Sequence, residues 1–169
     1  MFSKILVPID GSKPSEAAIE LALRIGRENR AEVVFVHAVE LNKVVAMTGP
    51  GGIDPGLAID AACKAGGAIL DDARAWAQKA NVQASFEQPE DECVSSVLQL
   101  ARQRNADLIV IGSHGRSGIP RAFLGSIAEG ILRRSHIPVL VCHAAPAEHP
   151  DKHTRYIRKE EREIQRTII

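Results

Sequence analysis

Five short segments of the chain have the apolar pattern of β-strands, and each is bounded by residues that break regular structure. They are KILVPI (4–9), AEVVFVHAV (31–39), VQASFEQ (82–88), DLIVI (107–111) and IPVLVCH (137–143). The first, second and fourth are continuous apolar runs with many β-branched residues, which predicts strands buried on both faces of a sheet.

A helical pattern follows the first strand. The breaker cluster DGSKPS is succeeded by apolar residues at helical spacing, which are Ala18, Leu21, Ala22 and Ile25. Pro14 suits a first helical turn, and Ser12 or Lys13 lies at the position of the cap. An amphipathic helix is therefore predicted between the first two strands.

Three further helices are predicted along the chain. Residues 57–80 have the alanine, leucine and charge mixture of a long helix, although Gly66 and Gly67 should weaken its middle by about 1 kcal/mol each. Asp91 is expected to cap a helix with apolar residues at helical spacing. Residues 124–135, LGSIAEGILRRS, predict the last helix before the final strand.

Two segments stand outside this alternation. Glycine and proline are dense in 41–56, which predicts a mobile loop without a regular element that could cover a site. Residues 144–169 form a charged C-terminal extension, predicted to be helical, with a sparse stripe of isoleucines. It is either a solvated tail or a segment that docks onto a partner subunit. The rest, 1–143, is predicted to be one domain.

The strict alternation of apolar strands with amphipathic helices predicts the fold class. Parallel strands need crossover connections, and helices in those connections cover both faces of the sheet. Right-handed crossovers then give a doubly wound α/β fold, with a five-stranded parallel sheet and helices on both faces.

Composition excludes several classes of function. Among 169 residues, 21 Lys and Arg balance 21 Asp and Glu, and aromatic residues make up 4%. The zero net charge argues against a nucleic-acid binder that works through a broad basic field, and the low aromatic content argues against base-stacking platforms. The N-terminal apolar run is too short for a signal peptide or a membrane span, so we expect a cytoplasmic protein without membrane insertion.

Two strand ends carry the candidate chemistry. Asp10-Gly11-Ser12 follows the first strand, and a glycine-rich segment begins at Gly112 after the fourth. Ligands of doubly wound sheets bind beyond the carboxyl ends of strands, where the strand order reverses. If these two strands are neighbours there, the Asp10 carboxylate suits the hydroxyl pair of a ribose, and backbone amides of the glycine-rich segment suit phosphates.

The glycine-rich segment differs from two familiar nucleotide motifs. A Walker A loop needs Lys directly after its last Gly, and LGSI has none; the dinucleotide fingerprint needs Gly where Ser113 stands. On these residues alone, anion binding and plain turn geometry are equally good interpretations.

Four stretches together resemble the universal stress protein family: KILVPIDGS, VVFVHAV, ADLIVIGSHGRSG and LGSIAEGILRRSHIPVLV. The resemblance covers 2–141. Its most specific element is the nucleotide signature G-x2-G-x9-G-[ST], which this chain meets at Gly112, Gly115, Gly125 and Ser126. Family members that keep this signature bind ATP, so the resemblance implies ATP binding and a homodimer.

The resemblance also implies which residues contact the nucleotide. Pro8 and Ile9 match positions on the adenine side, and Asp10 matches a position beside the ribose. Ala38 matches the place where backbone atoms read the adenine edge. The turn around ribose and phosphate is matched by Ile111, Gly112, Ser113, His114 and Gly115. The start of the phosphate-binding helix is matched by Gly125, Ser126 and Ile127.

Three other polar residues have weaker assignments. Arg116 and Arg121 are candidate cations that would screen the phosphates. His37 ends an apolar strand, and a hydrogen-bonded structural histidine is the expected interpretation there. Mg²⁺ is expected to bind through phosphate oxygens and water, because no carboxylate cluster lies beside the glycine-rich segment.

The leading hypothesis is an ATP-binding regulatory protein of the stress response, dimeric through the edge strand 137–143, which acts on an unknown regulated protein. ADP, AMP or a cyclic nucleotide are alternative ligands. One competing hypothesis is a slow ATPase or adenylyl-transferring enzyme, although no residue is an evident candidate to orient water. Another is an interaction module in which the nucleotide is incidental.

Overall fold

The computed structural model describes residues 1–48, 54–115 and 124–144. Its strands are β1 (Lys4–Pro8), β2 (Glu32–Val36), β3 (Ala84–Glu87), β4 (Leu108–Gly112) and β5 (Val139–Cys142). Its helices are α1 (Lys13–Asn29), α2 (Leu41–Ala46), α3 (Pro55–Ala80), α4 (Cys93–Gln103) and α5 (Ser126–Arg134). The predicted extension lies outside the described residues from position 145 onward.

All five strands pair in parallel, in the order β3-β2-β1-β4-β5. Alternate residues of the strands enter two separate cores. Ile5 and Val7 pack with α1 and α3 on one face, and Leu6 packs with α4 and α5 on the other. The doubly wound α/β fold predicted from the sequence is therefore confirmed, and β1 and β4 meet where the strand order reverses.

The start of α1 forms as its sequence predicts. Ser12 is the N-cap, its side chain accepts a hydrogen bond from the Ser15 amide at 3.4 Å, and a proline occupies the first turn. The helix ends at Arg30, which adopts the left-handed conformation with φ of 57°. This helix brings its first turn against the end of β4.

Three predictions of local structure are wrong. The segment predicted to lack regular elements contains α2, because LNKVVA is free of the glycine and proline that begin at position 49. The long helix begins earlier, at Pro55, because Asp54 caps it by accepting from the amides of Gly56 and Leu57. Glu92 caps α4 instead of Asp91, and its carboxylate accepts from the amides of Val94 and Ser95. Residues 49–53 lie outside the described part.

No helix within the described ranges combines the length and the apolar character needed to cross a membrane. The long helix α3 illustrates this, because its charged and polar residues leave only a narrow buried stripe.

The paired glycines in α3 have different surroundings. A Cβ added at Gly66 would lie 2.5 Å from Gln88 Nε2 and 2.5 Å from His37 Cδ2, whereas one added at Gly67 meets nothing within 4 Å. Gly66 therefore lets α3 approach the end of β2, and the helix continues through both glycines.

This difference gives a matched pair of substitutions. Gly66→Ala is expected to lower the free energy of unfolding by about 1–3 kcal/mol, because the added methyl overpacks a filled contact. Gly67→Ala is expected to raise it by about 0.5–1 kcal/mol, because alanine restricts the unfolded chain and favours helix. Urea denaturation followed by circular dichroism measures both; equal effects of the two substitutions would contradict the packing assigned to Gly66.

Candidate functional site

A crevice of about 340 Å³ opens at the carboxyl ends of β1 and β4. Small-molecule sites in proteins occupy roughly 300–1,000 Å³, so this volume is large enough for one. The structure brings most of the sequence-predicted residues to its walls, and these are Pro8, Ile9, Asp10, Ala38, Ile111, Gly112, His114, Gly115, Gly125, Ser126 and Ile127.

Three predicted residues are not among them. Ser113 is 1% exposed and lies behind the wall, where its amide donates to the Cys142 carbonyl at 2.7 Å and its carbonyl accepts from the Gly125 amide at 2.8 Å. It shapes the turn without facing the crevice. Arg116, like Arg121, lies outside the described residues.

The Asp10 carboxylate is held on one side of the crevice. Gly11 adopts φ of 77°, a conformation that favours glycine, and the turn places Ser12 beside Asp10. Asp10 Oδ1 accepts from the Ser12 amide at 3.0 Å and from the Ser12 hydroxyl at 2.6 Å. These bonds satisfy one carboxylate oxygen and leave Oδ2 with acceptor capacity.

Gly115 brings the opposite wall against that free oxygen. A Cβ at Gly115 would lie 2.8 Å from Asp10 Oδ2, and one at Gly125 would lie 3.2 Å from the Ser113 carbonyl oxygen. The backbone at Gly115 thus lies directly against the Asp10 carboxylate, and the start of α5 lies against the backbone that follows β4.

Gly112 lacks a side chain for a different reason, which is its contact with α1. A Cβ there would lie 2.7 Å from the Pro14 carbonyl carbon and 2.8 Å from the Ser15 amide nitrogen. The missing side chain lets the first turn of α1 pack directly on the end of β4. This glycine of the signature therefore serves packing between helix and strand.

The N-terminus of α5 faces the crevice, and the amides of its first turn have no acceptor among the described residues. Gly125 is its N-cap and contributes no side-chain bond, and the first intrahelical bond runs from the Glu129 amide to the Gly125 carbonyl at 2.8 Å. The amides of Ser126, Ile127 and Ala128 come before the first intrahelical donor, so the helix itself gives them no acceptor. All three residues line the crevice. Such a terminus favours an anion through both its donors and the helix dipole.

His114 carries an unusual polar atom. Its Nδ1 lies 2.8 Å from the Ser113 hydroxyl, while its Nε2 is buried and has no hydrogen-bond partner among the described residues. Buried polar atoms ordinarily have a partner, so this atom is suited to meet a ligand group.

The sequence reasoning missed three polar residues of the crevice, which are Ser15, Glu40 and Cys93. Glu40 Oε2 accepts from Lys43 Nζ at 2.6 Å. Burial, with further contributions from the carboxylates of Glu40 and Glu92, raises the pKa of the Cys93 thiol to about 12, so the thiol stays protonated at neutral pH and is no nucleophile. Glu40 follows the end of β2 and could have been found by the same strand-end argument that found Asp10.

Metal-binding chemistry is sparse in the part of the chain that the structure describes. It contains no group of three or more His, Cys, Asp or Glu side chains that could hold a metal ion.

The family model described as the universal stress protein family matches residues 1–143. The chain belongs to the universal stress protein family. The universal stress protein YxiE of Bacillus subtilis is 35% identical over 147 residues, which span 83% of this chain and 99% of that protein.

Solved universal stress proteins have the same fold. One from Burkholderia pseudomallei is 30% identical with a TM-score of 0.68, and the match covers 85% of this chain and 96% of that one. Another, solved in complex with cAMP, is 25% identical with a TM-score of 0.62, and covers 85% of this chain and 98% of its own.

Proposed function

We propose that this universal stress protein binds an adenine nucleotide, principally ATP, in the crevice between β1 and β4, and that binding regulates a partner in the stress response. One observation carries the proposal. The free Oδ2 of Asp10 lies against Gly115, in the same crevice as the uncapped N-terminus of α5. A ribose phosphate needs an acceptor for its ribose hydroxyls and a group of donors for its phosphate oxygens, and the crevice has both.

The crevice walls supply a distinct surface for each part of the nucleotide. Ile9, Val36 and Ala38 form an apolar wall suited to the adenine ring, with backbone of Ala38 at its edge. Asp10 Oδ2 accepts from ribose hydroxyls, and the amides of Ser126, Ile127 and Ala128 donate to phosphates. A polar group of the nucleotide would supply a hydrogen-bond partner for His114 Nε2, which has none among the described residues.

Mg²⁺ in this proposal binds through the phosphate oxygens and water. The described residues offer no cluster of three or more metal ligands, and Mg²⁺ commonly retains several waters beside a bound phosphate. The cation would neutralise phosphate charge without a dedicated protein site.

The related structure with cAMP supports adenine nucleotides as the ligand class. ATP, ADP, AMP and cyclic nucleotides share the adenine ring, and they differ in the phosphates that would reach α5. Mass spectrometry of small molecules released by denaturing freshly purified protein distinguishes them. Recovery of ATP supports the proposal, and consistent recovery of a ligand that is not a nucleotide overturns it.

We also propose that the chain forms a homodimer through the edge strand 137–143. β5 is at one edge of the sheet, and Leu140 is 38% exposed there, close to the partly buried Val139 and Val141. An apolar edge strand with free backbone groups is suited to pair with a second copy of itself. Such a cytoplasmic dimer would present two crevices whose occupancy a regulated protein could read.

Leu140→Glu tests the dimer. The new carboxylates would be buried opposite each other, so the dimer is expected to dissociate to monomers while each chain stays folded. Sedimentation velocity measures the change. Leu57→Glu is the control, because Leu57 is 65% exposed at the start of α3, away from β5. A monomeric wild-type protein, or a Leu140→Glu variant that remains dimeric, would contradict this interface.

A further inference from the structure

The peptide unit that joins Ile9 to Asp10 is held at both of its polar ends by buried side chains. His37 Nδ1 lies 2.8 Å from the Ile9 carbonyl oxygen, and the Asp10 amide lies 3.2 Å from Ser15 Oγ. His37 is 7% exposed and Ser15 is 3% exposed. Because a carbonyl oxygen only accepts, Nδ1 of His37 must carry the hydrogen, which fixes the tautomer of the neutral ring.

The imidazole of His37 is itself fixed in place. The His37 amide donates to the Glu87 carbonyl at 3.0 Å, which anchors its backbone at the end of the sheet. On the α3 side, a Cβ at Gly66 would lie 2.5 Å from Cδ2 and 3.0 Å from Nε2 of the ring. The ring therefore lies between α3 and the end of β1 with little room to rotate.

These contacts bear on the direction of the Asp10 side chain. A peptide unit is planar from one Cα to the next, so bonds at its carbonyl and its amide together fix its orientation and the position of the Asp10 Cα. Asp10 then needs only the two bonds from Ser12 to direct Oδ2 toward Gly115. One side chain from the residue after β2 and one from α1 thus hold the peptide that carries Asp10, on the turn between β1 and α1.

We propose that His37 and Ser15 are positioning residues for recognition of the ribose: they hold the Ile9–Asp10 peptide so that Asp10 Oδ2 accepts from the ribose hydroxyls. This inference rests on the proposed nucleotide site. A purely structural role for His37 would affect all nucleotides alike, whereas a positioning role predicts that the loss of affinity on removing His37 depends on the ribose hydroxyls of the ligand.

The test compares ATP with 2′,3′-dideoxy-ATP, which lacks both ribose hydroxyls. His37→Leu is expected to weaken ATP binding about tenfold and to change dideoxy-ATP binding by less than about twofold, since only the interaction through Asp10 is lost. Ser15→Ala should show the same selective loss, because it removes the acceptor for the Asp10 amide. Isothermal titration of the wild-type protein and of each variant with both nucleotides gives the four affinities of each variant's cycle.

His37→Asn is the conservative variant. Its side-chain amide can place a donor near the position of Nδ1, so ATP affinity within about threefold of wild type is expected. Ser96→Ala is the matched control for Ser15→Ala, since Ser96 is 5% exposed in the first turn of α4 and does not line the crevice.

Each outcome decides the proposal. Selective loss of ATP affinity in Ser15→Ala and His37→Leu, with recovery in His37→Asn, supports it. Equal loss for both nucleotides, or unchanged affinity for both, overturns it and leaves these residues a purely structural role. If His37→Leu does not fold, Ser15→Ala and His37→Asn decide by the same criteria. Absence of any binding by the wild-type protein would instead overturn the proposed nucleotide site, and this inference with it.

Discussion

Gly112→Ala is expected to lower the free energy of unfolding by about 3 kcal/mol or more, an unusually large effect for one added methyl group. The new Cβ would lie 2.7 Å from the Pro14 carbonyl carbon, 2.8 Å from the Ser15 amide nitrogen and 2.9 Å from the Pro14 carbonyl oxygen. All three atoms belong to the backbone of α1, so no side chain can rotate away. The helix must shift from the sheet or the end of β4 must bend.

Urea denaturation of the two proteins measures this loss. Gly67→Ala is the control, because it adds the same methyl group where nothing lies within 4 Å. A stability of Gly112→Ala equal to that of wild type would show that α1 does not pack on the backbone of Gly112. Nucleotide affinity should fall in the same variant, because α1 carries Ser15 and follows the Asp10 turn.

Gly115→Val is expected to weaken ATP binding at least about 100-fold, which corresponds to about 2.7 kcal/mol of binding free energy. The first atom of the new side chain would lie 2.8 Å from Asp10 Oδ2 and would displace the carboxylate proposed to hold the ribose. The two further methyl groups would occupy space where the β1 and β4 ends face each other.

The stability of this variant should change little. Gly115 is exposed, so we expect the free energy of unfolding to stay within about 1 kcal/mol of wild type. Gly115→Ala is the graded companion, with a smaller loss of affinity. Wild-type affinity in Gly115→Val would mean that the nucleotide does not bind between Asp10 and Gly115.

The sequence was sufficient to predict the sheet and both halves of the crevice. Continuous apolar strands separated by amphipathic helices leave few alternatives to a doubly wound sheet, and the ends of β1 and β4 follow from its switch point. Asp10 and the glycine-rich segment were predicted to share a crevice on the condition that β1 and β4 are neighbours, and the strand order meets that condition.

Two features of the local sequence explain the errors in the predicted helices. The sequence pattern did not predict α2, because its six helix-compatible residues lie beside a segment dense in glycine and proline. Glu92 displaced Asp91 as the cap of α4 because its longer side chain curls back to two amides of the first turn. The choice of cap depends on a shift of one residue, which periodicity does not resolve.

Three features of the site that the sequence did not predict depend on tertiary contacts. Gly112 matches a nucleotide signature, yet its nearest neighbours are backbone atoms of α1, and no sequence pattern specifies that contact. The interaction of His37 with the Ile9 carbonyl joins residues 28 positions apart. Cys93 reaches the crevice from the first residue of α4, a helix that comes from a different part of the chain.

Titration of ATP into nucleotide-stripped protein, followed by isothermal calorimetry, tests the central claim most directly. We predict saturable binding with one ATP per chain, lost in Gly115→Val and retained in Gly67→Ala. No heat of binding to the wild-type protein, or binding that Gly115→Val leaves unchanged, would contradict a nucleotide site in this crevice.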